Sequence, residues 1–245
     1  MSYIKFKKTK IVATLGPGCS SKTMLQRLIK SGVNVFRINF SHATYDEADR
    51  HIDLIRSLNQ ELDTNVAILA DLQGPKIRIG KMEDGVIFKK GDEFTLSTTK
   101  EIIGNKTKAS LSYKDFAKDV KKGDRVLIDD GKLIFEVILT NKKDEVKLRN
   151  IQGGKLSSKK GVNLPNTKIS TPSLTKKDKK DLMYAISKEL DWIALSFVRD
   201  ANDMTNLREL IEKESDEKIP IIAKIEKPEA IKNIEDIIQN SDGIM

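Results

Sequence analysis

The chain has 245 residues, enough for one large domain or two small ones, and 38% of them are hydrophobic, an ordinary share for a globular protein. Lysine and arginine exceed aspartate and glutamate by 44 − 36 = 8; the surplus fits an anionic partner, but it is spread along the chain and only 5% of residues are aromatic, so a solvated basic surface is expected and nucleic acid is not. No apolar run approaches the roughly 20 residues of a membrane helix, the opening MSYIKFKKTK lacks the apolar core of a secretion signal, and the single Cys19 excludes an internal disulfide, so the sequence predicts no membrane partner and a cytoplasmic location.

The first third alternates strand and helix. TKIVATLGP, from Thr9 to Pro17, reads as strand then turn. Ser20 or Ser21 can cap the helix KTMLQRLIKSG, which Gly32 ends. VNVFRINFS is a second strand, and TYDEADRHIDLIRSLNQEL a second helix with Ala48, Ile52, Ile55 and Leu58 near helical spacing. NVAILADLQG is a third strand. Strands alternating with helices predict a parallel sheet with covered faces.

The character changes after Gly74. From Pro75 to about Lys168 short strands and tight turns follow one another: GVIFKKGDEFTLST, GDRVLIDDGKLIFEVILT, EVKLRNIQGG. Asp130-Gly131, between two alternating apolar runs, is a hairpin signal. A small all-β domain over 75–168 is therefore predicted, inserted after the third strand. The alternation then returns over 169–245. SLTKKDKKDLMYAISKEL is a capped helix, DWIALSFV a strand, DANDMTNLRELIEKES a helix, IPIIAKIEKPEA a strand and loop, AIKNIEDIIQN a helix, and SDGIM the start of a further strand. That makes five α/β-type strands outside the insertion and the first residues of a sixth.

The second strand has an unusual pattern. Side chains alternate faces along a strand, so Phe36, Ile38 and Phe40 share one face and Arg37, Asn39 and Ser41 the other. The strand opens as a buried one, so the polar face calls for a partner other than bulk water. In parallel α/β folds ligands sit at the C-terminal ends of the strands. The third strand brings Asp71 there, the WIALSF strand brings Ser196, and the PIIAKIE strand brings Lys224 and Glu226, two apart and on one face. Each has a bland alternative: a strand-end ion pair for Arg37, a salt bridge for Lys224 with Glu226, a turn start for Asp71. Their coincidence on four strands favours a site. Its chemistry is anionic, with Arg37 and Lys224 for phosphate or carboxylate and Glu226 for a hard cation such as Mg2+.

The segments KIVATLGPG, NVFRINFSH, DLQGPKIRIG, KKGVNLPN, LSFVRD and IIAKIEKPEA, in this order and spacing, closely resemble pyruvate kinase. The resemblance covers essentially the whole chain. It implies a (β/α)8 TIM barrel, incomplete over these residues, with a β-rich lid domain inserted after the third strand. The reaction it implies is phosphoryl transfer from phosphoenolpyruvate to ADP, giving ATP and pyruvate. It further implies Mg2+ (or Mn2+) as cofactor, and a homotetramer for the complete enzyme.

Residue by residue, the resemblance makes Arg37 and Lys224 the catalytic cations. Arg37 would contact the phosphoryl group, and Lys224 would stabilise the transferring group and the developing enolate. Glu226 would be one Mg2+ ligand. Asn39, Ser41 and Asp71, with the carbonyl of Leu72, match a potassium site. Asn39 also counts with His42, Arg78 and Lys160 as nucleotide-binding, Lys160 from the lid. Ser196 and Phe197 match residues packed against the lysine, Ser196 as a substrate contact or as structure alone.

Two departures matter. Lys76 stands where potassium-dependent members carry glutamate in G-P-E-I-R; an ammonium near Asp71 would replace the monovalent cation, so potassium-independent activity is predicted. Leucine at 72 replaces the commoner threonine, which a backbone ligand tolerates. The family continues beyond SDGIM with A-R-G-D-L-G, carrying the second Mg2+ ligand, and later with the threonine that relays a proton to the enolate. These 245 residues alone are accordingly expected to have little or no kinase activity. The alternatives are a barrel lyase acting on phosphoenolpyruvate or pyruvate, and a half-barrel that binds or regulates without turnover.

Overall fold

A computed structural model describes residues 8–99, 101–165 and 167–245. The chain divides into two compact units, one of residues up to Gly74 together with Ser173–Met245, the other Pro75–Pro172.

The first unit begins with β1 (Val12–Thr14), α1 (Lys22–Lys30), β2 (Val35–Asn39), α2 (Tyr45–Leu62) and β3 (Ala67–Leu72). Helix α1 starts at Ser21, whose hydroxyl accepts the Met24 N–H, and the chain leaves it through Gly32 at φ 101°, a left-handed conformation that glycine adopts without a Cβ penalty. Helix α2 is held by a capping box, Thr44 and Glu47 each satisfying the other's backbone N–H. Its buried residues are Ala48, Ile52, Ile55 and Leu58, the four the sequence spacing selects.

The second unit holds β4 (Ile87–Phe88), β5 (Glu93–Ser97), β6 (Lys108–Ser110), α3 (Phe116–Asp119), β7 (Arg125–Ile128), β8 (Leu133–Thr140), β9 (Glu145–Gln152), β10 (Gly154–Lys155) and β11 (Val162–Asn163). Its larger sheet runs β11-β7-β8-β9-β5-β6, with β10 and β4 pairing apart. The β7–β8 hairpin turns through Asp129, Asp130 and Gly131, all at positive φ. Phe88, Phe94 and Phe135 meet in the core, ring centres 4.8–5.7 Å apart.

The chain re-enters the first unit at Ser173, later than the change of pattern at Lys168 suggests. Ile169 belongs to the second unit's core, and Ser170 donates from both its backbone N–H and its hydroxyl to Asp119. Then come α4 (Lys176–Ser187), β12 (Trp192–Leu195), α5 (Ala201–Glu214), β13 (Ile221–Ala223), α6 (Pro228–Lys232), α7 (Ile234–Gln239) and β14 (Gly243–Ile244). The single helix expected over 230–240 is two short ones. They break at Asn233, whose amide donates to the Arg199 carbonyl at 2.9 Å.

The strands of the first unit form one parallel sheet in the order β1-β2-β3-β12-β13-β14. Sequential parallel strands with intervening helices are the repeating unit of a (β/α)8 barrel, and six such strands are present among the described residues. The period-two rule sorts their side chains. Phe36, Ile38, Ile68, Ala70, Leu72, Ile193, Leu195, Ile221 and Ala223 face the helices and join one core with Leu25, Ile52, Ile55, Leu182 and Leu207. The other face carries Arg37, Asn39, Asp71, Ser196 and Lys224 toward the sheet's inner side. No helix among the described residues is long and apolar enough to cross a membrane.

Candidate active site

The inner-face polar residues converge on one carboxylate. Asp71 is 2% exposed. Its Oδ2 accepts Arg37 Nε at 2.7 Å and also Arg37 Nη2. Lys224 Nζ lies 3.1 Å from both Asp71 oxygens and 2.8 Å from Ser196 Oγ. The register explains the meeting: Asn39 pairs with Asp71 and Asp71 with Ala194, so residues at the C-terminal ends of adjacent strands lie side by side. Ser196 has one hydroxyl proton, and the Leu72 carbonyl at 2.7 Å takes it, leaving the hydroxyl oxygen to accept from Lys224. Arg37 Nη1 donates to Thr14 Oγ1 at 2.7 Å. Thr14 escaped the sequence reading; its only signal there is its place just before the LGPG turn.

Glu226 approaches Lys224 at 3.5 Å through Oε1, while Oε2 accepts the Phe197 N–H at 2.9 Å. Phe197 sits at φ 58°, uncommon for a bulky residue. Gly74, at φ 69°, lies so close to this turn that a Cβ would come within 2.9–3.0 Å of Phe197 Cδ2 and of the Ser196 carbonyl oxygen. The Gly74 N–H is held by buried Asp178 at 3.0 Å, which also caps α4 through Thr175. Lys227, next to Glu226, is 7% exposed. Burial pushes its ammonium below the usual lysine range, and Arg199 pushes the same way against Glu229 and Glu226. Its Nζ lies 5.8 Å over the Phe197 ring. Neither Lys227 nor Asp178 was singled out in the sequence.

Among the described residues no three His, Cys, Asp or Glu side chains cluster to hold a metal. Mg2+ ordinarily takes one or two protein carboxylates and completes its shell with water and substrate phosphate. Glu226, with a 34% exposed side chain, fits as such a single contribution. Three of the four residues matched to a potassium site accept hydrogen bonds from the protein through the oxygens concerned. Asn39 Oδ1 accepts the Ser41 N–H at 3.0 Å, the Leu72 carbonyl accepts Ser196, and Asp71 is engaged by Arg37 and Lys224.

A cavity of about 760 Å3 opens beside these strand ends. Thr14, Leu15, Pro17, Ile38, Asn39 and His42 line it from the strand-end side, and Glu47, Arg50, His51 and Leu54 line it from α2. The α2 residues follow the i, i+3, i+4, i+7 spacing of one helix face. That stripe was legible in the sequence only as a helix surface.

Arg78, Lys160 and Lys76 belong to the second unit. Arg78 Nη1 donates to the Lys159 carbonyl at 2.9 Å, and Arg78 bridges Gly161, so Arg78 and Lys160 stand on neighbouring backbone. Lys160 Nζ pairs with Asp129 at 3.0 Å. The Lys160 and Lys132 ammoniums hold the Asp129 carboxyl below the usual range, against the effect of burial.

Sequential parallel strands with polar and charged groups gathered at their C-terminal ends define a β/α-barrel protein. Comparison with known proteins gives the family. Residues 6–245 match the family model described as pyruvate kinase, barrel domain. The chain is 43% identical to the pyruvate kinase of Staphylococcus haemolyticus over 241 residues and 44% identical to pyruvate kinase 2 of Synechocystis over 244, each match covering 98% of this chain and 41% of the relative. It is 40% identical over 240 residues to the pyruvate kinase of Clostridium perfringens, covering 98% of this chain and 50% of that protein. The chain belongs to the pyruvate kinase family, and it spans about 41–50% of the length of these relatives.

Proposed function

We propose that this chain contributes the N-terminal part of a pyruvate kinase that transfers the phosphoryl group of phosphoenolpyruvate to ADP, giving ATP and, after protonation of the enolate, pyruvate. The observation that carries the reading is the convergence of Arg37, Lys224 and Ser196 on Asp71, with Glu226 beside them. Phosphoryl transfer spreads negative charge over the transferring oxygens, so catalysis rests on positioned cations and needs no protein nucleophile. Asp71 and Ser196 orient the Lys224 ammonium, and Asp71 with Thr14 fixes the Arg37 guanidinium. Mg2+ or Mn2+, held in part by Glu226, would add positive charge at the phosphoryl oxygens when bound.

We place the nucleotide in the cavity between the β1 and β2 ends and α2, near Asn39 and His42, and keep Arg78 and Lys160 as nucleotide-binding residues of the second unit. Activity is read as independent of potassium, with Lys76, where potassium-dependent members carry glutamate, as the substitute cation. The complete enzyme is read as a cytoplasmic homotetramer. The 245 residues alone are read as inactive, since six strands do not close an eight-stranded barrel.

The test is pyruvate release from phosphoenolpyruvate by the protein as its source makes it, with and without ADP. ADP-dependent turnover is expected, lowered about 100- to 1,000-fold by Lys224→Met, the size of effect of removing one group that stabilises developing charge. Turnover indifferent to ADP points to a lyase, and binding of phosphoenolpyruvate or ADP without turnover points to a binding module. Full turnover by the isolated 245 residues overturns the reading of the fragment.

A further inference from the structure

The turn after β12 is fastened from behind by residues outside the polar cluster. Gly74 is the last residue before the chain leaves the first unit, and Ser173 the first after it returns. Both meet at Ser196 and Phe197. The Ser173 hydroxyl donates to the Phe197 carbonyl at 3.3 Å, and Gly74 leaves no room for a Cβ beside Phe197 and the Ser196 carbonyl. Behind Gly74 stands Asp178, fully buried. Its carboxylate does two things. Oδ2 accepts the Thr175 N–H at 2.8 Å and the Thr175 hydroxyl at 2.5 Å, within the capping box of α4. Oδ1 takes no part in that cap and accepts the Gly74 N–H at 3.0 Å.

We propose that Asp178 is a positioning residue for Lys224. The inference rests on the reading that Lys224 stabilises the transferring phosphoryl group. By fixing Gly74, Asp178 holds the Ser196–Phe197 turn, where Phe197 keeps a φ of 58°. Such a conformation persists in a bulky residue only where its surroundings impose it. The turn supplies the Ser196 hydroxyl, 2.8 Å from Lys224 Nζ. It also supplies the Phe197 N–H, which holds Glu226 Oε2 at 2.9 Å while Oε1 faces Nζ at 3.5 Å. A misplacement of about 1 Å caused far from the chemistry costs up to about 100-fold in rate. Neither Ser196 nor Phe197 lines the cavity assigned to the nucleotide. The loss therefore falls on kcat and not on KM for ADP.

The experiment measures kcat and KM for ADP on the protein as its source makes it, well below the melting temperature of every variant, so that all are fully folded. Asp178→Ala is expected to lower kcat about 10- to 100-fold and to change KM for ADP less than about twofold. Thr175→Val removes the hydroxyl of the cap but leaves Oδ1 on Gly74. It is expected to lower the melting temperature and to keep kcat within about twofold of wild type. Added to Lys224→Met, Asp178→Ala is expected to cost less than about threefold more, because it acts through the lysine. Gly74→Ala pushes the same turn from the other side and should lower kcat in the same way, which decides the matter if Asp178→Ala does not fold. Wild-type kcat in folded Asp178→Ala or in Gly74→Ala refutes the role, and so does an equal loss in Thr175→Val or full additivity with Lys224→Met. If Lys224→Met itself keeps full turnover, the reading of Lys224 falls first, and the role of Asp178 with it.

Discussion

Replacing Asp71 tests whether the polar centre of the sheet is one coupled unit. Asp71 is the common acceptor for Arg37 and Lys224, and its side chain is 2% exposed against 21% for Arg37 and 13% for Lys224. Asp71→Ala leaves two cations in a largely water-excluded place without their counter-charge. Orphaning one partner of a buried pair costs about 3–5 kcal/mol. The partial exposure of Arg37 lets water recover some of its share, so a loss of about 3 kcal/mol is expected. Lys224→Met alone leaves Asp71 with both nitrogens of Arg37, so about 1–2 kcal/mol is expected. The double variant has one cation to orphan instead of two, and its loss is expected to fall short of the sum by about 2 kcal/mol, within the usual range for contacting residues. Urea unfolding followed by tryptophan fluorescence measures all three, because the only tryptophan, Trp192, stands in β12 next to β3 in the same unit. A loss under about 1 kcal/mol for Asp71→Ala, or strict additivity with Lys224→Met, would refute the idea that Asp71 is what holds the two cations in place.

Gly74→Ala asks a φ of 69° from an L-residue and drives a Cβ to 3.0 Å from the Ser196 carbonyl oxygen; left-handed strain of about 1–2 kcal/mol plus the clash should lower the melting temperature by about 4 °C or more, and an unchanged melting temperature refutes the tight approach. Asp242 gives a pH signature. Burial raises its pKa, but the Ile221 N–H at 2.8 Å and Arg208 at 3.0 Å outweigh that and leave it below the ordinary 3.8. Its stabilisation is therefore present above the unfolded pKa and is lost as pH falls through the lowered folded value. Asp242→Asn should be less stable than wild type at pH 6 and equal to it near pH 2; a gap that persists in acid contradicts the linkage. Lys76→Glu should introduce a response to KCl at constant ionic strength in the complete enzyme, whereas wild-type turnover should change less than about twofold; strong potassium activation of the wild type ends the proposal for Lys76.

What could be read from the sequence was whatever has a local period. The alternation of Phe36, Ile38 and Phe40 with Arg37 and Asn39 assigns the two faces of β2 before any partner strand is known, and the structure buries the first set against the helices. The spacing of Ala48, Ile52, Ile55 and Leu58 does the same for α2. What could not be read depends on partners distant in the chain. Thr14 becomes a partner of Arg37 only because β1 pairs with β2 in a register that sets these two residues opposite each other. The break at Asn233 follows from a side-chain bond to Arg199, 34 residues away. Asp178 reads as a helix-start residue, and that is half its work; its other oxygen holds Gly74, 104 residues back. The resemblance supplied candidate ligands for a potassium ion, but not the fact that oxygens of Asn39, Asp71 and Leu72 accept from protein donors.

The charges at the strand ends bear on how such a site takes an anion. Arg37 and Lys224 oppose Asp71 and Glu226, so these four side chains sum to zero. A phosphate ester bearing a carboxylate gains little from a neutral set, and displacing Asp71 would cost the several kcal/mol that its buried pairs represent. The economical course is for Asp71 to stay in place, orienting both cations, while net positive charge comes from elsewhere. A divalent cation at Glu226 is one source, which fits a carboxylate left one-third exposed. For the nucleotide, the proposed function calls on Lys160. Its present partner, Asp129, pairs with it at 3.0 Å, the side chains 36% and 15% exposed, and surface pairs are worth about 0–1 kcal/mol. A polyphosphate competing for Lys160 would therefore displace Asp129 at small cost. On this account the buried pairs set geometry and the exposed cation and the metal set affinity, so substitutions at Asp71 should fall mainly on turnover and stability, and substitutions at Lys160 mainly on the concentration of nucleotide required.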